Sequence, residues 1–304
     1  MLSLAACGTQ QSAENVVIMV GGLRGPTAMG MLKLMEDNDG DYDFELSAEA
    51  AAFVPSLMNG EIDIAAVPAN LAAVVYNNSD GAVKLAAVNT VNVLYIVERG
   101  DKIGTVNDLQ GRKLYATGEG AVPEFILRYI LKENGLDKEN APQIQWCSDT
   151  AEALSYIAAD ENAAAMLPQP FVTAAKAKVG DLRTAIDLND EFKKISGSDI
   201  VTGVVVVRAE FIEKHPDEFA AFMEDYKESV EYVLSHNDEA AELCEKYGIV
   251  NTAVAGKALP YCGITFITGE KMKTTAEKYL EILYASDPKF IGGSVPADDF
   301  YYGK

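Results

Sequence analysis

Leu57-Met58-Asn59-Gly60-Glu61-Ile62-Asp63-Ile64-Ala65-Ala66-Val67-Pro68-Ala69-Asn70 decides the fold class. Asn59-Gly60 closes a helix expected over residues 49–58, because glycine accepts the left-handed backbone that ends helices. Residues 62–67 form an apolar run of strand length, broken only by Asp63. A strand buried on both faces reads as a continuous run; one with a wet face would alternate. Pro68-Ala69-Asn70 then turns into a helix carrying Leu71, Val74 and Val75. Helix, buried strand, helix is the pattern of β-α-β units.

The same pattern recurs on both sides. Residues 16–20 are strand-like, Gly21-Gly22-Leu23-Arg24-Gly25-Pro26-Thr27 breaks the run, and Pro26 suits the first position of a helix. Strands are expected at 43–47, 83–88 and 93–97. A second set follows: strand 113–117, helix 124–133, strand 143–147, helix 150–158, strand 163–167, helix 171–178 and strand 182–188. Residues 202–207 are a further strong strand. Beyond Pro216 strands stop and helices run to the end, the first presenting Phe219, Phe222, Met223, Tyr226, Val230, Val233 and Leu234 on one face. No Pro/Gly/Ser tether separates the two sets. Short extended crossings are expected instead, outward at 93–97 and back at 202–207.

Composition narrows the function. The chain has 304 residues, and 25 basic against 46 acidic side chains leave a net charge of −21. Such an excess repels nucleic acid and anionic membrane surfaces. No apolar run approaches the roughly 18 residues that span a bilayer. Two histidines leave little room for a His-based metal site or catalysis. Cys147, Cys244 and Cys262 form no C-x-x-C pair and read as small buried hydrophobes, so no metal and no cofactor are expected.

Leu4-Ala5-Ala6-Cys7 resembles the bacterial lipobox, although the basic start and most of the apolar segment are missing. It is read as the tail of a truncated or mis-started signal peptide, with Cys7 the lipidation site and residues 9–14 a polar tether. An ordinary small-residue terminus is the other reading.

Several stretches together resemble the solute-binding proteins of ABC importers, in the branch that binds nitrate, sulfonates, taurine and thiamine-pyrimidine precursors. Leu57 to Ala65 is similar to its L-x-x-G-x-x-D-x-A, and Leu109-Gln110-Gly111-Arg112-Lys113-Leu114 to its L-x-G-K lead into the second domain. Leu127 to Leu136 resembles the helix ending in G-L. Leu167-Pro168-Gln169-Pro170-Phe171 resembles its P-F turn, and Lys214-His215-Pro216 its K-H-P helix start. The resemblance implies a two-lobed periplasmic-binding-protein-like α/β fold (type II), with two mostly parallel sheets and a ligand cleft. Residues 1–14 would be leader and tether, 15–95 plus 205–304 one lobe, and 96–204 the other. It further implies a monomeric extracytoplasmic lipoprotein that hands a small solute to permease and ATPase subunits.

Ligands of open α/β sheets bind beyond the carboxyl ends of strands, where helices begin with unpaired N–H groups. Candidate contacts are therefore Gly22, Arg24, Gly25 and Thr27 in the first loop, and Ser47 and Ala48 in the second. Pro68 and Asn70 follow in the third, with Asn89 and Thr90 before the crossing. The other lobe offers Gly118, Glu119, Gly120 and Ala121, with Trp146 and Gln169. Arg24 suits a sulfonate or carboxylate. Glu119 argues against a bare anion. Asn70 is equally a helix cap, and Trp146 is either a stacking platform or a core aromatic. A sulfonate-like or heteroaromatic solute fits this set. The rivals are an enzyme on the same fold, for which no catalytic histidine arrangement is seen, and a ligand sensor.

Overall fold

The structure, a computed structural model, describes residues 16–303. Cys7 and the tether lie outside the described residues. The first elements are β1 (Ile18–Leu23), α1 (Pro26–Met29), α2 (Leu32–Glu36), β2 (Tyr42–Ser47), α3 (Phe53–Asn59), β3 (Ile64–Pro68), α4 (Ala69–Asn78) and β4 (Val83–Val91). Then come β5 (Leu94–Arg99), β6 (Lys113–Thr117), α5 (Val122–Glu133), β7 (Gln143–Cys147), α6 (Thr150–Ala159), β8 (Ala164–Pro168), α7 (Phe171–Lys178), β9 (Leu182–Asp187) and α8 (Leu188–Ser196). The chain ends with β10 (Val201–Arg208), α9 (Ala209–Lys214), α10 (Pro216–Ser235), α11 (Asn237–Lys246), α12 (Thr252–Ala258), β11 (Ile264–Ile267) and α13 (Gly269–Ser286).

Two sheets result, ordered β11-β4-β10-β3-β1-β2 and β7-β6-β8-β5-β9. They are mixed, not mostly parallel. β1 pairs in parallel with β2 and β3, and β6 with β7 and β8. β10 lies antiparallel between β3 and β4, and β5 antiparallel between β8 and β9. The cause is the path of the chain. Strands separated by a helical crossover return in parallel, whereas β5 enters the second sheet directly from the first. β11, also antiparallel to β4, corrects the expectation that strands end with β10. β10 lies in the first sheet over its full length, so the return between sheets is complete before Val201.

Both faces of each sheet are covered, which explains the continuous apolar runs. In β3, Ala65 and Val67 join an inner core while Ile64 and Ala66 face an outer one. In β8, Ala164 and Met166 face the inner core, and Ala165 and Leu167 another outer layer. The inner core is shared by the two sheets. α4 and α13 bring Val75, Met272, Tyr279 and Leu283 to it, and α5 and α8 bring Leu127 and Phe192. The rings of Phe192 and Tyr279 meet edge to face at 6.2 Å, and those of Phe125 and Phe290 meet tilted at 5.8 Å. Lys278 Nζ donates to the Gly197 carbonyl at 2.7 Å.

The helix expected over residues 49–58 is a short 3-10 turn followed by α3. α10 buries Phe219, Phe222, Tyr226, Val230 and Val233, each worth roughly 1.5–3 kcal/mol of transfer free energy when fully buried. Leu234, expected on that face, is 57% exposed.

The opening motif has a structural account. Leu57 is buried, and Gly60 ends α3 with φ 76°. A Cβ on Gly60 would stand 2.9 Å from Arg208 Nη1. That same nitrogen donates to Asp63 Oδ1 at 3.0 Å, while Asp63 Oδ2 accepts from the Met19 amide at 3.1 Å.

Candidate functional site

A cavity of about 720 Å³ lies between the two sheets. Leu23, Arg24, Gly25, Pro26, Thr27, Ala48, Pro68, Asn70 and Leu71 line it from the first sheet's loops. Ala121, Val122, Pro123, Pro168, Gln169, Pro170 and Phe171 line it from the second. Val93 and Ile200 come from the crossings, Leu94 from the start of β5, Val201 and Thr202 from the start of β10, and Ile249 and Tyr279 from the carboxy-terminal third.

Proline opens every helix that starts on this cavity. Pro26 is the first residue of α1, Pro68 precedes α4, Pro123 is the second residue of α5, and Pro170 precedes α7. None of the four has a side-chain cap. Elsewhere the chain caps in the usual way: Asp149 accepts from Glu152 N on α6, Asp187 from Asn189 N and Asp190 N on α8, and Asn251 from Val254 N on α12. On α4 and α5 the missing cap leaves first-turn amides and the positive end of the helix dipole at the cavity. Gln169, joined to Pro170 by a cis peptide bond, directs its side-chain carbonyl to the amide and hydroxyl of Thr173 at 3.3 and 3.0 Å.

Of the residues expected from sequence, Arg24, Gly25, Thr27, Ala48, Pro68, Asn70, Ala121 and Gln169 meet in this cavity. Arg24 is exposed at its rim, where Nη2 donates to the Leu46 carbonyl at 3.3 Å. The others do not line it. Gly22 has a packing role: a Cβ there would lie 2.6 Å from Met31 Cε and 2.9 Å from Leu46 Cδ2. Ser47 closes a local turn with Glu49. Asn89 is buried and donates to the Thr27 carbonyl at 2.9 Å, and Thr90 donates to Asn89 Oδ1. Gly118 and Gly120 take positive φ, 88° and 73°, and shape the turn before α5. Glu119 is exposed beside them. It is Glu124 that serves this turn: its carboxylate accepts from the Gly120 amide at 2.7 Å and pairs with Arg128. Trp146 lies on β7, the edge strand of its sheet, beneath the Arg128 guanidinium.

Sequence reasoning missed Leu71, Val93, Val201, Thr202, Ile249 and Tyr279. Tyr279 reads as one more apolar position of an amphipathic helix, and only the packing of α13 against the sheet brings it to the cavity. Phe171, 47% exposed directly after Pro170, carried a usable signal: a large apolar side chain at a helix start.

Gln169 also borders a second space of about 530 Å³, with Tyr95, Lys176, Asp187, Lys257 and Tyr261 among its walls. Burial lowers the pKa of Lys176, whose ammonium donates to Thr184 Oγ1 at 2.7 Å. Cys147, Cys244 and Cys262 are free and buried, and burial pushes the thiols of Cys244 and Cys262 up to about 12. Among the described residues, no group of three or more His, Cys, Asp or Glu is placed to hold a metal ion.

The fold is that of periplasmic binding proteins. It is similar to an ABC transporter crystal structure from Parabacteroides distasonis, at 25% identity and a TM-score of 0.80, covering 95% of this chain and 99% of that one. The periplasmic aliphatic sulphonate binding protein of Escherichia coli matches at 16% identity and a TM-score of 0.72, over 94% and 96% of the two chains. The alkanesulfonate-binding protein of Xanthomonas axonopodis pv. citri, bound to MOPS, matches at 12% identity and a TM-score of 0.65, over 94% and 96%. No curated protein sequence gives a significant match. The NMT1/THI5 like family model matches residues 82–240, more than half of the chain, and the protein belongs to that family.

Proposed function

We propose that the protein is the solute-binding component of an ABC importer, taking up a small sulfonate-like or heteroaromatic solute by lobe closure. The carrying observation is the cavity of about 720 Å³, within the size range of small-molecule sites, walled by loops from both sheets. A solute touching both walls favours the closed arrangement over the open one, and a permease would read that difference. The apolar walls, the uncapped starts of α4 and α5, and the rim guanidinium of Arg24 suit an apolar body with an electron-rich head. Two structural relatives are sulfonate-binding proteins, which agrees with this class.

In this reading the lobes are built on the two sheets. The protein acts as a monomer outside the cytoplasmic membrane, held there by a lipid on Cys7, and partners with permease and ATPase subunits. The cycle contains binding and release and no chemical step. Titration calorimetry with alkanesulfonates, arenesulfonates and pyrimidines, followed by small-angle scattering at saturation, tests it. Binding accompanied by a smaller radius of gyration is expected. A solute chemically altered by the purified protein, or binding with no compaction, would refute this mode of action.

A further inference from the structure

The second space, of about 530 Å³, has walls from the outer layers of both sheets. α7 brings Lys176 to it, and Val172 and Ala175 of that helix pack in the outer layer of the second sheet with Ala165 and Leu167. α12 and the 3-10 turn Leu259–Tyr261 bring Lys257 and Tyr261, and their Ala255, Ala258 and Leu259 pack in the outer layer of the first sheet with Ile64 and Ala66. The two layers touch here: the Tyr95 hydroxyl, on β5, donates to the Tyr261 carbonyl at 3.4 Å.

Two ammonium groups and one carboxylate line this space. Lys176 and Lys257 are both exposed, so a ligand can reach them. Neither forms an ion pair among the described residues, and Lys176 donates only to Thr184 Oγ1, at 2.7 Å. Carboxylates are abundant in this chain, 46 acidic side chains against 25 basic, and Lys33, Lys84, Lys193, Lys246 and Lys273 each pair with one. The carboxylate on the wall, Asp187, serves α8 instead. Its Oδ1 accepts from the amides of Asn189 and Asp190 and from Asn189 Nδ2. Burial lowers the pKa of Lys176, and no charged partner offsets it. Like charges on the walls of one concave space repel. An anion between them removes the repulsion and gains charge-assisted hydrogen bonds on both sides.

We propose that this space is a second binding site, for a small dianionic oxyanion of the phosphate or short dicarboxylate type, held by Lys176 from one side and Lys257 from the other. Tyr261, 58% exposed, adds a phenol on the Lys257 side. A bound dianion ties α7 to α12, and so favours the arrangement of the two halves in which these helices are close. The net charge of −21 repels loosely held anions, so uptake of a dianion reports this local pair. The site does not depend on what fills the cavity of about 720 Å³.

Solute-free protein is titrated with inorganic phosphate and with succinate at constant ionic strength, with chloride as the reference ion, and melting is recorded alongside. Lys176→Met and Lys257→Met are compared with Lys178→Met, which removes an exposed charge from α7 outside the space. Phosphate or succinate is expected to bind wild type at one site and to raise its melting temperature above that in chloride. Lys176→Met and Lys257→Met should each weaken binding about 10-fold or more, and Lys178→Met less than about 2-fold. Preference for phosphate assigns a compact oxyanion, and preference for succinate a dicarboxylate. Lys257 makes no bond within the fold, so Lys257→Met decides the question even where Lys176→Met fails to fold. Binding of neither anion beyond chloride overturns the proposal. Equal weakening in all three variants, the mark of diffuse attraction, does the same, as does full affinity in Lys257→Met. None of these outcomes touches the solute-binding reading, which stands or falls on sulfonate and pyrimidine titrations.

Discussion

Asn92 and Ile200 are joined twice across the two strands of chain that pass between the sheets. The Asn92 amide donates to the Ile200 carbonyl at 3.0 Å, and the Ile200 amide donates to Asn92 Oδ1 at 3.0 Å. Asn92 Nδ2 adds a bond to Asp199 at 3.1 Å. Asn92 has φ 55°, a left-handed conformation that asparagine tolerates better than most residues. The outward and return crossings are thus one clasped unit. Asn92→Gly keeps the backbone conformation and deletes the clasp. It should cost about 1–2 kcal/mol, read from urea unfolding. Asn92→Ala should cost more, because it adds left-handed strain. Equal stability of Asn92→Gly and wild type would show that the side chain does not hold the crossings together.

Asp63 and Arg208 give the second prediction. Their side chains are only 12% and 17% exposed, and they tie β10 to the start of β3 and, through the Met19 amide, to β1. Replacing either one strands its partner in a partly buried place. Asp63→Ala and Arg208→Met should each destabilise by about 2 kcal/mol, with a coupling of at least about 1 kcal/mol in the double-mutant cycle. Additive effects would mean that the pair is electrostatically idle.

Acid should loosen the second sheet's helices. The Gly120 amide, and after it Arg128, hold the carboxyl of Glu124 below its ordinary 4.5; the Ser148 amide and hydroxyl do the same for Glu152. Depressed carboxyls contribute stability that is present above the unfolded value. It is lost as pH falls through the lower folded value. Fluorescence of Trp146, the only tryptophan, reports on this region through the Arg128 contact. Its urea midpoint should be flat from about pH 7 to about pH 5 and fall below about pH 4.5. Glu124→Gln should reduce that fall. A decline that begins above about pH 5 would assign the sensitivity to other groups.

The thiols of Cys244 and Cys262, pushed up to about 12 by burial, should resist an aromatic disulfide reagent at about pH 8 until the protein unfolds. Cys147, also raised by burial, should behave alike. Rapid modification of any of the three in native protein would contradict the burial described.

Much of this was readable along the chain, for local reasons. Pro26, Pro68, Pro123 and Pro170 mark strand-to-helix turns that are short-range events, and all four reach the cavity. The Leu57, Gly60 and Asp63 spacing likewise reflects one helix end and one strand start. Strand direction was not readable, because β5 and β10 look like any buried strand and only the path of the chain turns them antiparallel. Residue type misled at Trp146 and Glu119. Both have side chains fit for a ligand, but one occupies an edge strand and the other faces solvent. Tyr279, Thr202 and Ile249 were missed because long-range packing alone brings them to the site.

The apolar interior common to both sheets makes neither half self-sufficient. Residues 94–200 made alone would bare Ile96, Leu127 and Phe192, which are covered by groups such as Tyr279 and Leu283 in the whole chain. An excised half should aggregate or stay molten, and the intact protein should melt in a single calorimetric transition. Engineering that treats the halves as exchangeable cassettes would have to carry α13 along with its partner helices.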